Sequence, residues 1–569
     1  MTVWFGGLSD INNRSIVTAI LKVNQMSDSN DIPLMFRAQI EGRCQIQRLI
    51  PGAPRQQAYD WAQEWITGVS KEVPDFDSKT IQTKAFKITW RFVSNSGQDE
   101  GVIRPVTGTK GWPLYPGASM KGAFLRTCTD EQAMKYCGGQ LSQKDTKPGI
   151  LRFHGGYPED GDWTKKSLVD VVHPQEDWQV KKNGSHSAFI QISLHQPTLV
   201  FGISSTVELS EKEWTTIWEL WERAMERGIG SRVSAGYGQP RKHGNSNLLS
   251  IQLKGQGLCS QLIDKTGEFR PNMFKAALRG HTLRLFSGIT DEISAEELTK
   301  ELWGGFAGKN GAIVGLLGIA FNPVELDLDS YSYGNNIMPT YELVDGTLNI
   351  LCMSAKAEQQ RKNLKVLIPQ LIKFSLLFGG FGKSWRRVDH RLFFKEYLTG
   401  NHNPMIGCHW QFGEKSNSLC CPVNELSDIT NFLNAFQKSL KQWAKLKKKT
   451  LSSSISSWRE AWHPKKVEVW GRIAENQLDS KAIRWFHGPY LGSQSIKKSV
   501  LTGQMGQIGC IWHRMYPRYT TTNGKLQSTR EYVELLTIFP DESESTQDFI
   551  EYLDTTSDFI KLWPTEEQL

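Results

Sequence analysis

Gly228-Ile-Gly-Ser-Arg-Val-Ser-Ala-Gly-Tyr-Gly-Gln-Pro240 sets four glycines and one arginine directly behind a long amphipathic segment. That segment, Glu211 to Arg227, carries Trp214, Ile217, Trp218, Trp221 and Met225 at helical spacing, and Gly228 stands where a helix-ending glycine is expected. A looser version, Gly379-Gly-Phe-Gly-Lys-Ser-Trp-Arg-Arg387, follows a second helical pattern at Leu364 to Phe378. Outward from each stretch the same order unfolds: strand, acidic loop, short basic helix, strands, amphipathic helix, glycine stretch. The repetition predicts an α+β chain built as a tandem.

The first copy starts at Phe86-Lys-Ile-Thr-Trp-Arg-Phe92, which alternates as a half-buried strand does. A polar loop, Ser94 to Gly101, then holds Asp99 and Glu100, and a helix opens near Ser119 with Lys121 and Arg126 in its first turns. The second copy starts with a strand at Leu248 to Leu253. Its loop, Ser260 to Arg270, contains Asp264 and Glu268, and its helix carries Lys275 and Arg279. The expected division is a leader of unassigned role at 1–80, a first domain at 81–247, a second at 248–545 with helical and loop insertions, and a tail at 546–569.

Two familiar readings of the glycine stretches fail. Gly382-Lys383-Ser384 resembles the end of a P-loop, but that motif's first glycine would fall at Leu377, and the stretch follows a helix instead of leading into one. Gly228 to Gly238 is no dinucleotide fingerprint, because no strand precedes it. What such stretches can do is bring backbone N–H groups close to a sugar-phosphate chain, with Arg232, Lys383, Arg386 and Arg387 supplying charge. Tyr237 and Trp385 are then candidates to stack on bases. The competing reading is a tight helix-to-strand crossover in which glycine serves packing alone.

With 569 residues the chain is too long for one core, and Lys+Arg 67 against Asp+Glu 59 gives a net charge of +8, compatible with an anionic partner without naming one. No window of about 18 apolar residues and no signal-peptide pattern occurs, so a cytoplasmic protein without a membrane partner is expected. The nine cysteines are scattered, which favours reduced thiols. Cys408-His409 with Cys420-Cys421 offers possible zinc ligands, although the spacing fits no zinc template and incidental buried cysteines are the simpler reading. The run Lys445-Leu-Lys-Lys-Lys449 reads as a solvated helix end or an RNA contact.

Pro116-Gly-Ala-Ser-Met-Lys-Gly-Ala-Phe-Leu-Arg126, taken with Gly228 to Gly238, resembles the RAMP superfamily of CRISPR-associated proteins. Phe274-Lys-Ala-Ala-Leu-Arg-Gly280 with Gly379 to Arg387 is similar but lacks the Pro-Gly-Ser lead, and Gly149 to Pro158 and Leu168 to Pro174 resemble the segments between. The resemblance implies two ferredoxin-like (RRM-like) domains in tandem with extended insertions. It further implies a backbone subunit of a type III effector complex that holds crRNA and presents it to complementary target RNA, beside other subunits including a large cyclase-type subunit. RNA contact falls on Lys121, Arg126, Arg232, Tyr237, Lys275, Arg279, Lys383, Trp385, Arg386 and Arg387. Target cleavage with Mg²⁺ or Mn²⁺ falls on Asp99 and Asp264, both catalytic and metal-holding, with Glu100 and Glu268 as nearest substitutes. A non-catalytic RNA-binding subunit and a crRNA-processing endoribonuclease are the alternatives.

Overall fold

The stretch Phe86 to Phe92 begins in a strand, β1 (Gln82–Lys87), and continues through Ile88, Thr89, Trp90, Arg91 and Phe92, all of them buried, so the alternation in sequence is not an alternation of burial. The computed structural model describes residues 52–99, 102–140, 145–172, 189–262, 264–306, 312–354, 357–451, 456–503 and 509–566. Helices and strands mix throughout, as an α+β chain requires. The apolar runs at 15–21 and 34–40, and the basic tip at 181–186, lie outside the described residues. Among the described residues no helix is long and apolar enough to cross a membrane.

The first unit runs β1, α1 (Gly117–Leu125), β2 (Leu151–Pro158), β3 (Thr198–Ser205) and α2 (Glu211–Met225). β3 lies between β1 and β2, antiparallel to both. The glycine stretch returns along the far side of β1: Ile88 bridges Pro240, and the Gly238 N–H donates to the Arg91 carbonyl at 2.7 Å. Helix α2 forms because Ser210 caps it, accepting the Glu213 N–H, while Glu211 and Glu213 suit the positive end of its dipole. Its buried face sets Trp221 against Phe201 of β3, ring centroids 4.9 Å apart.

Residues expected as a loop at 94–101 instead pair as strands. Asn95–Asp99 and Val102–Pro105 form a hairpin, joined in one four-stranded sheet by Val169–Val172 and Phe189–Ile192. The helix Gly52–Gly68 sends Ala58 and Ala62 into the same core as α1 and α2, so this part of the leader belongs to the first unit.

The second unit runs β4 (Asn247–Leu258), α3 (Asn272–Ser287), β5 (Leu317–Tyr333), β6 (Asn336–Cys352), α4 (Glu358–Phe378) and β7 (Cys408–Phe412). Its antiparallel sheet has the order β5-β6-β4-β7. A third unit repeats this plan: β8 (Glu468–Ala474), α5 (Lys481–His487), β9 (Ile511–Thr522), β10 (Lys525–Ile538), α6 (Glu544–Thr555) and β11 (Ile560–Trp563), with sheet order β9-β10-β8-β11. The stretch set apart in sequence as a tail at 546–569 thus supplies most of α6 and the whole of β11. One continuous core joins the second and third units, from Leu248 to Trp563.

A histidine pair bridges those two units. The Nε2 atoms of His390 and His487 lie 3.1 Å apart, and His390 Nδ1 lies 3.0 Å from the Val388 carbonyl. One ring must accept where the other donates, so the bond tolerates one protonated ring but not two. Burial pushes both imidazoles well below their ordinary 6.5. The unfolded chain therefore takes up protons first, and this contribution to stability, complete above pH of about 6.5, is lost as pH falls below it. Thermal melts between pH 7 and 5 are expected to show a falling Tm, with a shallower fall in His487→Gln.

Candidate nucleic-acid interface

The first glycine stretch is a tight turn held against residues 91–93. Gly228, Gly230, Gly236 and Gly238 all take positive φ, between 61° and 96°. A Cβ on Gly238 would stand 1.9 Å from the Ile229 carbonyl oxygen, and one on Gly230 would stand 2.3 Å from that of Val93. Glycine is required here by the chain's approach to itself, which is the packing reading of the motif. Tyr237 follows suit: 1% exposed, with its ring 4.5 Å from that of Trp90, it donates its hydroxyl to Asp170 Oδ2 at 2.7 Å. It is not placed to stack on a base.

Residues 231–235 of the stretch remain partly exposed and sit over a junction between the first two units. There Arg91 Nη2 pairs with Glu268 Oε2 at 2.5 Å, and Arg270 Nη2 pairs with Asp170 Oδ1 at 2.5 Å. Burial alone would raise both carboxyls, but the facing guanidiniums outweigh it and hold both below their ordinary range. Glu268, the substitute metal ligand of the sequence reading, is therefore a buried inter-unit ion partner. None of Arg91, Asp170 and Arg270 was expected. The one sequence signal for them is an acid inside the apolar run Leu168-Val-Asp-Val-Val172.

The same junction brings together three residues that the sequence assigned to two separate sites. Lys275 of α3, 3% exposed, donates to Ser234 Oγ at 2.8 Å, and Arg232 Nε donates to Gln191 Oε1 at 3.1 Å. Burial lowers Lys275 to about 7, with repulsion from Arg279 and Arg232 adding to it. Burial also lowers Arg232, against the pull of Tyr237 and Asp170. Arg232 holds a φ of +60°, unusual for a residue with a side chain.

The second glycine stretch is core. Trp385, 1% exposed, packs on Trp512 at 4.8 Å and His281 at 4.9 Å between ring centroids. A Cβ on Gly379 would meet the Trp385 ring at 2.5 Å. Arg386 is buried in an ion pair with Glu460, Arg387 donates to the carbonyls of Ile511 and Thr502, and Lys383 donates to that of Cys259. Packing takes up Trp385, and these bonds engage Lys383, Arg386 and Arg387, the other three side chains expected to grip RNA there. Lys121 and Arg126, by contrast, stand exposed on and just after α1.

The acidic candidates differ. Asp264 is exposed between β4 and α3, and its Oδ1 accepts the Thr266 N–H at 2.9 Å. Asp99 closes the strand Asn95–Asp99, its backbone in register with Val102, and Glu100 lies outside the described residues. Among the described residues no three of His, Cys, Asp and Glu gather as a metal site. Cys408, Cys420 and Cys421 are buried thiols, pushed up by burial to about 12, 11 and 12, while His409 is held by Arg514 and Gln411. In the lysine run, Lys447 and Lys449 pair with Glu301 and Glu297. A scan against protein-family models and a search of curated proteins return no match for this chain.

Proposed function

We propose that this chain is a backbone subunit of a type III CRISPR effector that holds guide RNA, its units being ferredoxin-like RAMP domains. The observation that carries the reading is the positive excess where the first glycine stretch meets the second unit. Arg91, Arg232, Arg270 and Lys275 gather there around two carboxylates, Asp170 and Glu268. The sheet order supports it: second, third, first, fourth strand in both four-stranded βαββαβ units, as a ferredoxin-like domain has. Lys121 and Arg126 add two exposed cations on the first unit. The protein grips phosphate and shape while pairing between crRNA and target RNA supplies sequence. Its protein partners are the other effector subunits, including a large cyclase-type subunit.

The test is binding of labelled guide RNA across a salt series. Log affinity should fall linearly with log salt, and Lys121→Gln with Arg126→Gln together should flatten the slope by roughly 1.4, about 0.7 per lost phosphate contact on a single strand. Absence of salt-dependent binding by the wild type would sink the reading.

A second activity, cleavage of target RNA, is favoured by the exposure of Asp264 between the first strand and first helix of its unit. One carboxylate cannot cage an ion by itself, but Mg²⁺ or Mn²⁺ commonly takes one or two carboxylates together with phosphate oxygens and water. Such an ion would supply positive charge beside the scissile phosphate. Asp264→Ala should slow target cleavage by the assembled complex while leaving guide affinity unchanged, and Asp99→Ala tests the first unit in the same way. Unchanged cleavage in the double variant assigns the cut to another subunit.

A further inference from the structure

A buried ammonium group is ordinarily matched by a carboxylate, because leaving it unmatched in a low-dielectric setting is costly. At the junction of the first two units Arg91 and Arg270 have such matches, Glu268 and Asp170. Lys275 is bonded instead to the neutral hydroxyl of Ser234, and Arg232 to the neutral side chain of Gln191. The charges that bear on Lys275 are those of Arg279 on its own helix and Arg232 on the facing loop, both repulsive. Ser234 and Arg232 themselves are only partly buried, so the Lys275 ammonium lies one side chain beneath a partly exposed stretch of the loop. The left-handed φ of Arg232 is a local strain of a kind that gathers at ligand sites.

We infer that the junction is a phosphate site shared by the two units, in which a phosphate seated on the Arg232 to Ser234 stretch takes charge-assisted hydrogen bonds from Arg232 and Lys275. At Lys275 the phosphate oxygen replaces the Ser234 hydroxyl as acceptor, a stronger bond because both partners are charged. The anion supplies the missing negative charge and ties α3 of the second unit to the glycine stretch of the first. Identifying it as an RNA phosphodiester rests on the RNA-holding reading; free inorganic phosphate has the same chemistry. The lowered proton affinity of Lys275 adds a consequence. Binding an anion restores its charge, so binding strengthens as pH falls from about 8 to 6.

The experiment is thermal melting of the full chain with inorganic phosphate and with sulfate, against chloride at equal ionic strength. Sulfate serves the pH series, since its charge does not change over that range. The wild type should gain Tm with either anion, more at pH 6 than at pH 8. Arg232→Gln and Lys275→Met should lose that gain. Without anion, Lys275→Met should melt no lower than wild type, because it removes a buried charge that no carboxylate among the described residues pairs with; a merely structural lysine would give a lower Tm. Equal gains in wild type and variants, or no gain in wild type, overturn the site. A parallel titration with guide RNA separates the sources. A loss of about tenfold in RNA affinity in Lys275→Met assigns the site to an RNA phosphate, while unchanged RNA affinity with a lost anion response assigns it to free phosphate. A wild type that responds to the anions but binds no RNA retains this site and overturns the RNA-holding reading.

Discussion

Glu460→Ala should remove about 3–5 kcal/mol of folding stability, read as a lowered denaturant midpoint at unchanged slope. Glu460 is fully buried and accepts Arg284 Nε at 2.8 Å and Arg386 Nη2 at 2.6 Å. Burial alone would raise its carboxyl, but Arg386, Arg284 and Arg459 hold it down at about 2. Both arginines lie over the Trp385 ring, Arg386 at 4.7 Å and Arg284 at 5.3 Å, so neither can turn to water when the carboxylate goes. Leaving Arg284 and Arg386 buried without this carboxylate is what makes the expected loss large. Glu460→Gln keeps the shape and one acceptor and should lose less. If Glu460→Ala left stability unchanged while Arg386→Ala weakened RNA binding, the second glycine stretch would have to be restored to the RNA surface.

Glu268→Ala should have the next largest effect, about 3 kcal/mol, because Arg91, fully buried, loses the carboxylate it pairs with at 2.5 Å and Arg270 loses its second, at 3.6 Å. Equilibrium unfolding should show the loss in the transition that includes the first unit. The acid limb carries the same sign. Glu268 is held below its ordinary 4.5, so its contribution is complete above that value and is lost as pH falls below it. In Glu268→Ala that part of the acid sensitivity should disappear.

Much of the architecture was legible because helices α2 and α4 are long enough for apolar spacing to show, and each runs into a glycine. The third unit was not. Its first helix, α5, spans only seven residues, too short to display a period, and β9 buries His513 and Arg514, side chains that carry no core signal in sequence. The site was half legible. Lys121 and Arg126 stand exposed, and Arg232, Lys275 and Arg279 were named, although nothing in their spacing tells that they meet. Tyr237 and Trp385 were misread because an aromatic beside glycine suits stacking and packing equally. The deciding neighbours, Trp90 and Trp512, lie far along the chain. Arg386 was misread for the same reason: Glu460 lies 74 residues downstream.

The most direct measurement is to purify the chain from cells that express a CRISPR array, strip any bound nucleic acid and sequence it. The RNA-holding account predicts short RNAs that share a repeat-derived segment and differ in the segment beside it. Recovery of nucleic-acid-free protein with no affinity for added guide RNA would contradict it.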